Sequence, residues 1–272
     1  MKIITFTNGK GGVGKTTLAA HTAYVLATEY RNRVALLDLD RQWQATKYLG
    51  VEAGLDVGAA QFVMSAGRHI DDHIVPARPN LWVFPGSEET QSVDVYLKSA
   101  HKPVAYLRSV LNFWESRFDV VVIDTPAHGY LNEMAIVGAD LVVVPTPPRH
   151  MDTDGVSIFA GIWSSASTAA SIKAPPVLVV PNMVDDRTSV TSDLLASLDR
   201  ELAEVYAMGW QMSSNNVPIN INFSRAYDEG KTIFELKTRS ETRNARLALR
   251  AVVADIAERM GITCPEPEQL AA

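Results

Sequence analysis

The sequence predicts an α/β fold with a mostly parallel central sheet flanked by helices on both faces, in one domain over residues 1–260. Short β-branched runs alternate with longer amphipathic stretches, the pattern of repeated βαβ units. Val120-Val121-Val122-Ile123 and Leu141-Val142-Val143-Val144 are apolar on both faces, as strands covered from both sides must be. The first strand-like run leads through a glycine-rich turn into a helical stretch, at the edge where parallel sheets bind ligands.

In chain order, strands are expected at Lys2–Thr7, Arg33–Asp38, Asn80–Phe84, Asp119–Asp124, Leu141–Pro145 and Val177–Pro181. Each is a short β-branched or apolar run, the length and composition of a buried strand. Helices are expected near Lys15–Tyr30, Val93–Arg117, Asp152–Ser171, Ser189–Met208 and Glu241–Met260. Gly50–Pro79 has weak periodicity and predicts no element. Gly261–Ala272, with two prolines and no apolar pattern, reads as a flexible tail.

The 272 residues, 47% apolar and 21% charged, suffice for a sizeable core and exclude a disordered chain. Lys and Arg number 25 against 31 Asp and Glu, a formal charge of −6, unlike a constitutively basic nucleic-acid binder. Any contact with DNA must therefore be local or switched. The single cysteine, Cys264, excludes an internal disulfide, a self-held iron–sulfur cluster and a complete cysteine zinc site, and it agrees with a reducing cytosol. Any metal needs oxygen ligands. His69 and His73 sit four apart with no accompanying carboxylate pattern and read as surface polar residues. No run reaches the roughly 18 apolar residues of a membrane span, so a soluble, unprocessed, cytoplasmic chain without a membrane partner is expected.

Gly9-Lys10-Gly11-Gly12-Val13-Gly14-Lys15-Thr16-Thr17 satisfies G-x-x-x-x-G-K-[ST] with the required strand before it and helix after it. This makes the expected fold class a single-domain P-loop NTPase. Glycines let consecutive N–H groups turn toward phosphate oxygens, and the helix adds the positive end of its dipole. Lys15 is expected to reach the β- and γ-phosphates, and the Thr16 hydroxyl to ligate Mg²⁺. Lys10 adds a second cation that the minimal motif does not require.

That extra lysine makes Lys10-Gly11-Gly12-Val13-Gly14-Lys15-Thr16-Thr17 resemble the deviant Walker A motif of the ParA/MinD family of P-loop ATPases. The resemblance implies an ATP-state homodimer in which Lys10 crosses to the partner's phosphates, with ATP and Mg²⁺ as cofactors. Asp38-Leu39-Asp40-Arg41-Gln42 is similar to the family's D-x-D-P-Q segment, with Arg41 where proline is usual. It implies Asp40 as the residue that orients the attacking water, and it places Asp38 nearer the Mg²⁺ shell. Val120–Asp124 followed by Thr125-Pro126-Ala127 resembles the second switch, and the strand-terminal Asp124 can hold Mg²⁺ through water. Asn182 matches the family's adenine-contacting segment in position, and Pro218 is placed to cover the base. Asn182-x-x-Asp185 is also similar to a guanine-reading N-K-x-D without its lysine, so adenine is preferred on the resemblance alone.

Arg225–Arg250 holds seven Lys or Arg against four Asp or Glu. Arg243, Arg246 and Arg250 fall within about 60° of the helical wheel beside an apolar face. Resemblance to ParA proteins implies that this edge, with Lys237 or Arg239, touches nonspecific DNA in the ATP dimer. The family's usual arginine is missing here, and Asn222 stands near its place. The P-loop at residue 9 leaves no room for the operator-binding domain of larger ParA proteins, so promoter autoregulation is not expected.

The function these observations imply is a nucleoid-associated, ATP-dependent partition ATPase. It would move a plasmid, chromosome or other cargo, with hydrolysis stimulated by a ParB-like centromere-binding or adaptor protein. Two alternatives stay open: a MinD-like membrane-positioning ATPase, against which the Cys264-Pro265-Glu266-Pro267-Glu268 ending argues, and an ATP-dependent small-molecule ligase on the same fold. Reductases of the nitrogenase iron-protein type need interface cysteines that this chain lacks.

Overall fold

The computed structural model describes residues 1–52, 58–148, 154–185, 190–237 and 240–265. Its elements run β1 (Lys2–Phe6), α1 (Lys15–Thr28), β2 (Val34–Asp38), α2 (Gln44–Tyr48), α3 (Ala59–Met64), α4 (Ile70–His73), β3 (Val75–Arg78), β4 (Leu81–Phe84) and α5 (Glu89–Ser99). They continue through α6 (Tyr106–Asn112), β5 (Val120–Asp124), α7 (Tyr130–Gly138), β6 (Leu141–Thr146), α8 (Asp154–Ala169), β7 (Val177–Val184) and α9 (Val190–Tyr206). The chain then forms β8 (Trp210–Met212), β9 (Val217–Pro218), α10 (Asn222–Asp228), a 3₁₀ turn (Ile233–Glu235) and α11 (Ser240–Met260).

The strand order is β3-β4-β2-β5-β1-β6-β7-β8, with β9 on β7, and every pairing is parallel except β3 with β4. Alternate strand residues serve opposite faces. Ile4, Phe6, Leu36 and Val122 meet α1 and α11, whereas Ile3, Leu37, Val121 and Ile123 meet the layer of α3, α5, α6 and α7. Phe159, Trp163, Leu198 and Leu202 cover β6 and β7. Each such aliphatic side chain contributes about 1.5–3 kcal/mol by leaving water.

The α/β class and all six expected strands appear, but one expected helix is two. Val93–Arg117 divides into α5 and α6, because the chain turns at His101, whose φ is +52°, and Pro103 lacks the N–H that a continuous helix needs. Gly50–Pro79 supplies α3, α4 and β3, docked by Phe62, whose ring lies 4.2 Å from that of Trp114. Trp114 in turn stacks on Phe84 at 4.4 Å. In the expected tail, Ile262 packs on the core, and residues 266–272 lie outside the described set.

His21 ties α1 to the C-terminal segment. Its Nδ1 lies 2.6 Å from the Thr17 carbonyl, and the Ile233 N–H donates to Nε2 at 2.9 Å, so the proton sits on Nδ1. A second proton would have to enter where an N–H already points. Complete burial pushes the imidazole down from 6.5 to about 4. Between those values the unfolded chain binds the proton that the folded one refuses. Folding stability therefore gains its full contribution above about pH 6.5 and loses about 3 kcal/mol as pH falls to 4. Urea midpoints measured across that window should fall with pH in the wild type and flatten in His21→Gln; equal slopes would assign the loss to other groups.

Candidate functional site

β1 delivers the chain to the sheet's carboxyl edge, and Asn8 opens the loop there. Its Nδ2 donates to the Pro145 carbonyl at 2.8 Å, while its Oδ1 accepts the Lys10 N–H at 2.9 Å. Gly12 and Gly14 have φ of +73° and +94°, the left-handed region that glycine tolerates. α1 starts at Lys15 with no side-chain cap and no acidic residue in its first turn, which leaves its N–H groups for an anion. A Cβ on Gly14 would stand 2.1 Å from the Asn182 Nδ2. That nitrogen donates to the Val13 carbonyl at 2.7 Å, so β7 clamps the loop from behind.

Lys15 is buried, and its Nζ donates to the Lys10 carbonyl at 2.9 Å. Burial lowers its pKa, against the pull of Asp124 and then Asp40. Lys10 lies half-buried at the loop mouth, with its alkyl chain beside Gly155 of α8, where a Cβ would crowd Cγ and Cδ at 3.2 Å. Gly11, Gly12, Val13, Thr16 and Thr17 complete the cradle around the same edge.

Asp38 and Asp124 end adjacent strands in register and are both fully buried. Asp38 is held by its own loop. Thr46 donates to Oδ2 from its hydroxyl at 2.7 Å and its N–H at 2.9 Å, and the Asp40 N–H donates to Oδ1 at 3.1 Å. Burial pushes Asp38 up to about 6 despite these donors. Asp124 is raised well above the carboxylate range by burial and then by Asp38, opposed by the Thr16 hydroxyl and Lys15. Neither of its oxygens has a hydrogen-bond partner at normal geometry. Among the described residues no three His, Cys, Asp or Glu side chains converge. One orphaned carboxylate beside a threonine hydroxyl suits a hydrated Mg²⁺ that takes its remaining ligands from phosphate and water. Such a cation supplies charge neutralisation for the phosphates.

Asp40 sits half-buried with its Oδ1 accepting the Gln42 N–H at 2.9 Å. It lines a cleft of about 530 Å³ with Arg41, Gln91, Asp94, His128 and Gly129, so the loop after β2 and the segment after β5 share one cavity. β9 pairs with β7 so that Val217 stands opposite Asn182 and Pro218 opposite Val184. Sequence reasoning missed Asn8, Thr46, Gly86 and Gly155. A Cβ on Gly86 would meet the Asp40 carbonyl at 2.8 Å and the Asp38 carboxyl at 2.9 Å. Only Asn8, adjoining the motif, carried a local signal.

The C-terminal cations divide. Lys237 and Arg243 are exposed, and Arg239 lies outside the described residues. Arg246 instead donates to the carbonyls of Ile233 at 2.9 Å and Leu236 at 2.5 Å. Arg250 grips Glu29 from Nε and Nη2 at 2.8 Å and covers the Phe234 ring.

A parallel sheet with a P-loop at its carboxyl edge and strand-terminal aspartates around it defines a nucleotide-hydrolysing P-loop protein. Residues 1–170 match the AAA domain family. Sporulation initiation inhibitor protein Soj of Bacillus subtilis is 27% identical over 93% of this chain and 98% of its own. The chromosome partitioning protein ParA of Myxococcus xanthus is 26% identical over 91% of this chain and 86% of its own. The structure of the Cyanothece McdA(D38A)–ATP complex superimposes with a TM-score of 0.81 at 18% identity, covering 98% of each chain. The chain belongs to this AAA domain family, within the ParA/MinD P-loop ATPases. It is an ATPase.

The clamp between Asn182 and the loop can be tested directly. Gly14→Ala combines a disfavoured φ with the 2.1 Å clash and should lower ATP affinity at least tenfold, about 1.4 kcal/mol, in calorimetry. Wild-type affinity would show that the loop binds phosphate without that clamp.

Proposed function

We propose that the protein is a ParA-type partition ATPase. It closes as a homodimer on ATP, holds nonspecific DNA in that state, and hydrolyses ATP to let go, moving or spacing a cargo at the nucleoid. The observation that carries this reading is the placement of Lys10. Its N–H is fixed by Asn8, its carbonyl holds Lys15, and its side chain lies along Gly155 at the open mouth of the phosphate loop. A second ammonium at that mouth suits a triphosphate presented by a facing copy. Asp40, on the loop above the two buried carboxylates, is the residue that orients water. A ParB-like adaptor is the partner that accelerates this step.

Lys237 and Arg243 are the cations this reading assigns to DNA, with Arg239 beside them in sequence. Arg246 and Arg250 serve chiefly to hold α11 against the 3₁₀ turn and α1. A weak monomer patch becomes useful when two copies present it together.

A titration with ATP, ADP and no nucleotide should show salt-sensitive DNA binding only with ATP. Lys237→Ala with Arg243→Ala should weaken it and flatten its salt slope. DNA binding that ignores nucleotide, or a double variant with an unchanged slope, would remove this reading; binding to anionic vesicles in its place would mark a membrane-positioning ATPase. Asp40→Ala should keep ATP and the dimer while hydrolysis falls by about 10² or more. Normal turnover would take Asp40 out of the mechanism.

A further inference from the structure

α2 follows the Asp38–Asp40 loop and is strapped to the C-terminal segment at several points. Gly50, just past α2, approaches Gly230 so closely that a Cβ there would lie 2.9 Å from the Gly230 carbonyl. Arg78 bridges the same two turns, donating to the carbonyls of Leu49 at 3.0 Å and Gly230 at 3.2 Å and to Glu235 at 2.5 Å. Between these straps stands Tyr48, its ring against His21 and Tyr227.

The Tyr48 hydroxyl touches two oxygens. It donates to the Phe223 carbonyl at 3.1 Å and lies 3.3 Å from the Thr17 Oγ1. A hydroxyl has one proton, and a carbonyl only accepts. Tyr48 therefore spends its proton on Phe223, and Thr17 must donate to Tyr48. The result is a directed chain from the P-loop helix through α2 to α10: Thr17 O–H to Tyr48 O–H to the Phe223 carbonyl. A phosphate oxygen also only accepts, so a nucleotide that recruits Thr17 needs that same proton. Tyr48 then either turns to donate to Thr17 and drops Phe223, or keeps Phe223 and loses Thr17. In both cases the through-going link is cut, with no net proton transfer.

We propose that Tyr48 is a nucleotide-sensing positioning residue: phosphate engages the single Thr17 hydroxyl proton, breaks this hydroxyl relay, and releases the link it makes between the P-loop helix and the C-terminal segment that leads to Lys237 and Arg243. The inference deepens the partition reading and rests on it for the use made of the signal. The relay itself needs only that a nucleotide phosphate engages Thr17.

Tyr48→Phe removes the hydroxyl and keeps the ring. Calorimetry with ADP and with a nonhydrolysable ATP analogue, each with Mg²⁺, should show binding tightened about 3- to 10-fold, since Thr17 no longer has a competing acceptor. A merely structural hydroxyl predicts equal or weaker binding. Hydrogen exchange of residues 222–236 should respond to nucleotide in the wild type and lose that response in the variant. Unchanged or weakened affinity overturns the proposal, as does a variant whose exchange still responds like the wild type. A thermal melt checks that the variant folds; if it does not, absence of a nucleotide response in the wild type alone overturns the relay. Tightened binding in the variant and a nucleotide-dependent exchange response in the wild type, found together with no DNA binding by the wild type, keep the relay and remove the partition reading.

Discussion

The arrangement depends on placing two carboxylates side by side, out of water, at the ends of neighbouring parallel strands. Asp38 and Asp124 are opposite each other in register, and both are completely buried. Like charges in such a setting raise each other's pKa, and burial adds to the effect. The fold satisfies one and leaves the other. Asp38 receives three hydrogen bonds, one from the loop that follows it and two from Thr46 of α2, so its carboxylate ties that loop to α2. Among the described residues, Asp124 has the Thr16 hydroxyl and the Lys15 ammonium as its favourable neighbours. The unmet demand for positive charge is thus concentrated at one point, beside an uncapped helix N-terminus. That asymmetry makes the pocket suit a cation together with a polyphosphate rather than either alone.

The phosphate loop was legible in the sequence because its chemistry is local. Strand, glycine turn, Lys15 and Thr16 are contiguous, and the aspartates could be placed once the strands ending in them were recognised. What fixes these groups was not legible, because it comes from distant parts of the chain. Asn182 reaches the Val13 carbonyl across 169 positions, and Gly86 must lack a side chain because the Asp38–Asp40 turn passes over it. Gly50–Pro79 looked featureless for a related reason. Its helices are too short to show a period, and its anchor, Phe62, has meaning only beside Trp114. The helical wheel placed Arg243, Arg246 and Arg250 on one edge, but it could not reveal that Glu29 and two carbonyls of the 3₁₀ turn face that edge.

That division of the arginines bears on how a chain of net charge −6 would hold DNA. Arg246 and Arg250 are engaged in seating α11, Arg250 exposed but paired with Glu29, which leaves Lys237 and Arg243 as the exposed candidates that the partition reading assigns to DNA. With about two phosphate contacts per copy, the slope of log K against log salt is only about −1.8, and pairing two copies doubles it to about −3.6. Under the partition reading, an acidic body and a sparse basic patch would make a single copy a poor binder at physiological salt, while a closed pair would gain both contacts and avidity. The patch also hangs from the segment that Arg246 clamps and that α2 touches through Tyr48 and Gly50. Under the proposed relay the patch would answer to the same loop that Asp38 holds, and a constitutively strong DNA surface would make that connection useless.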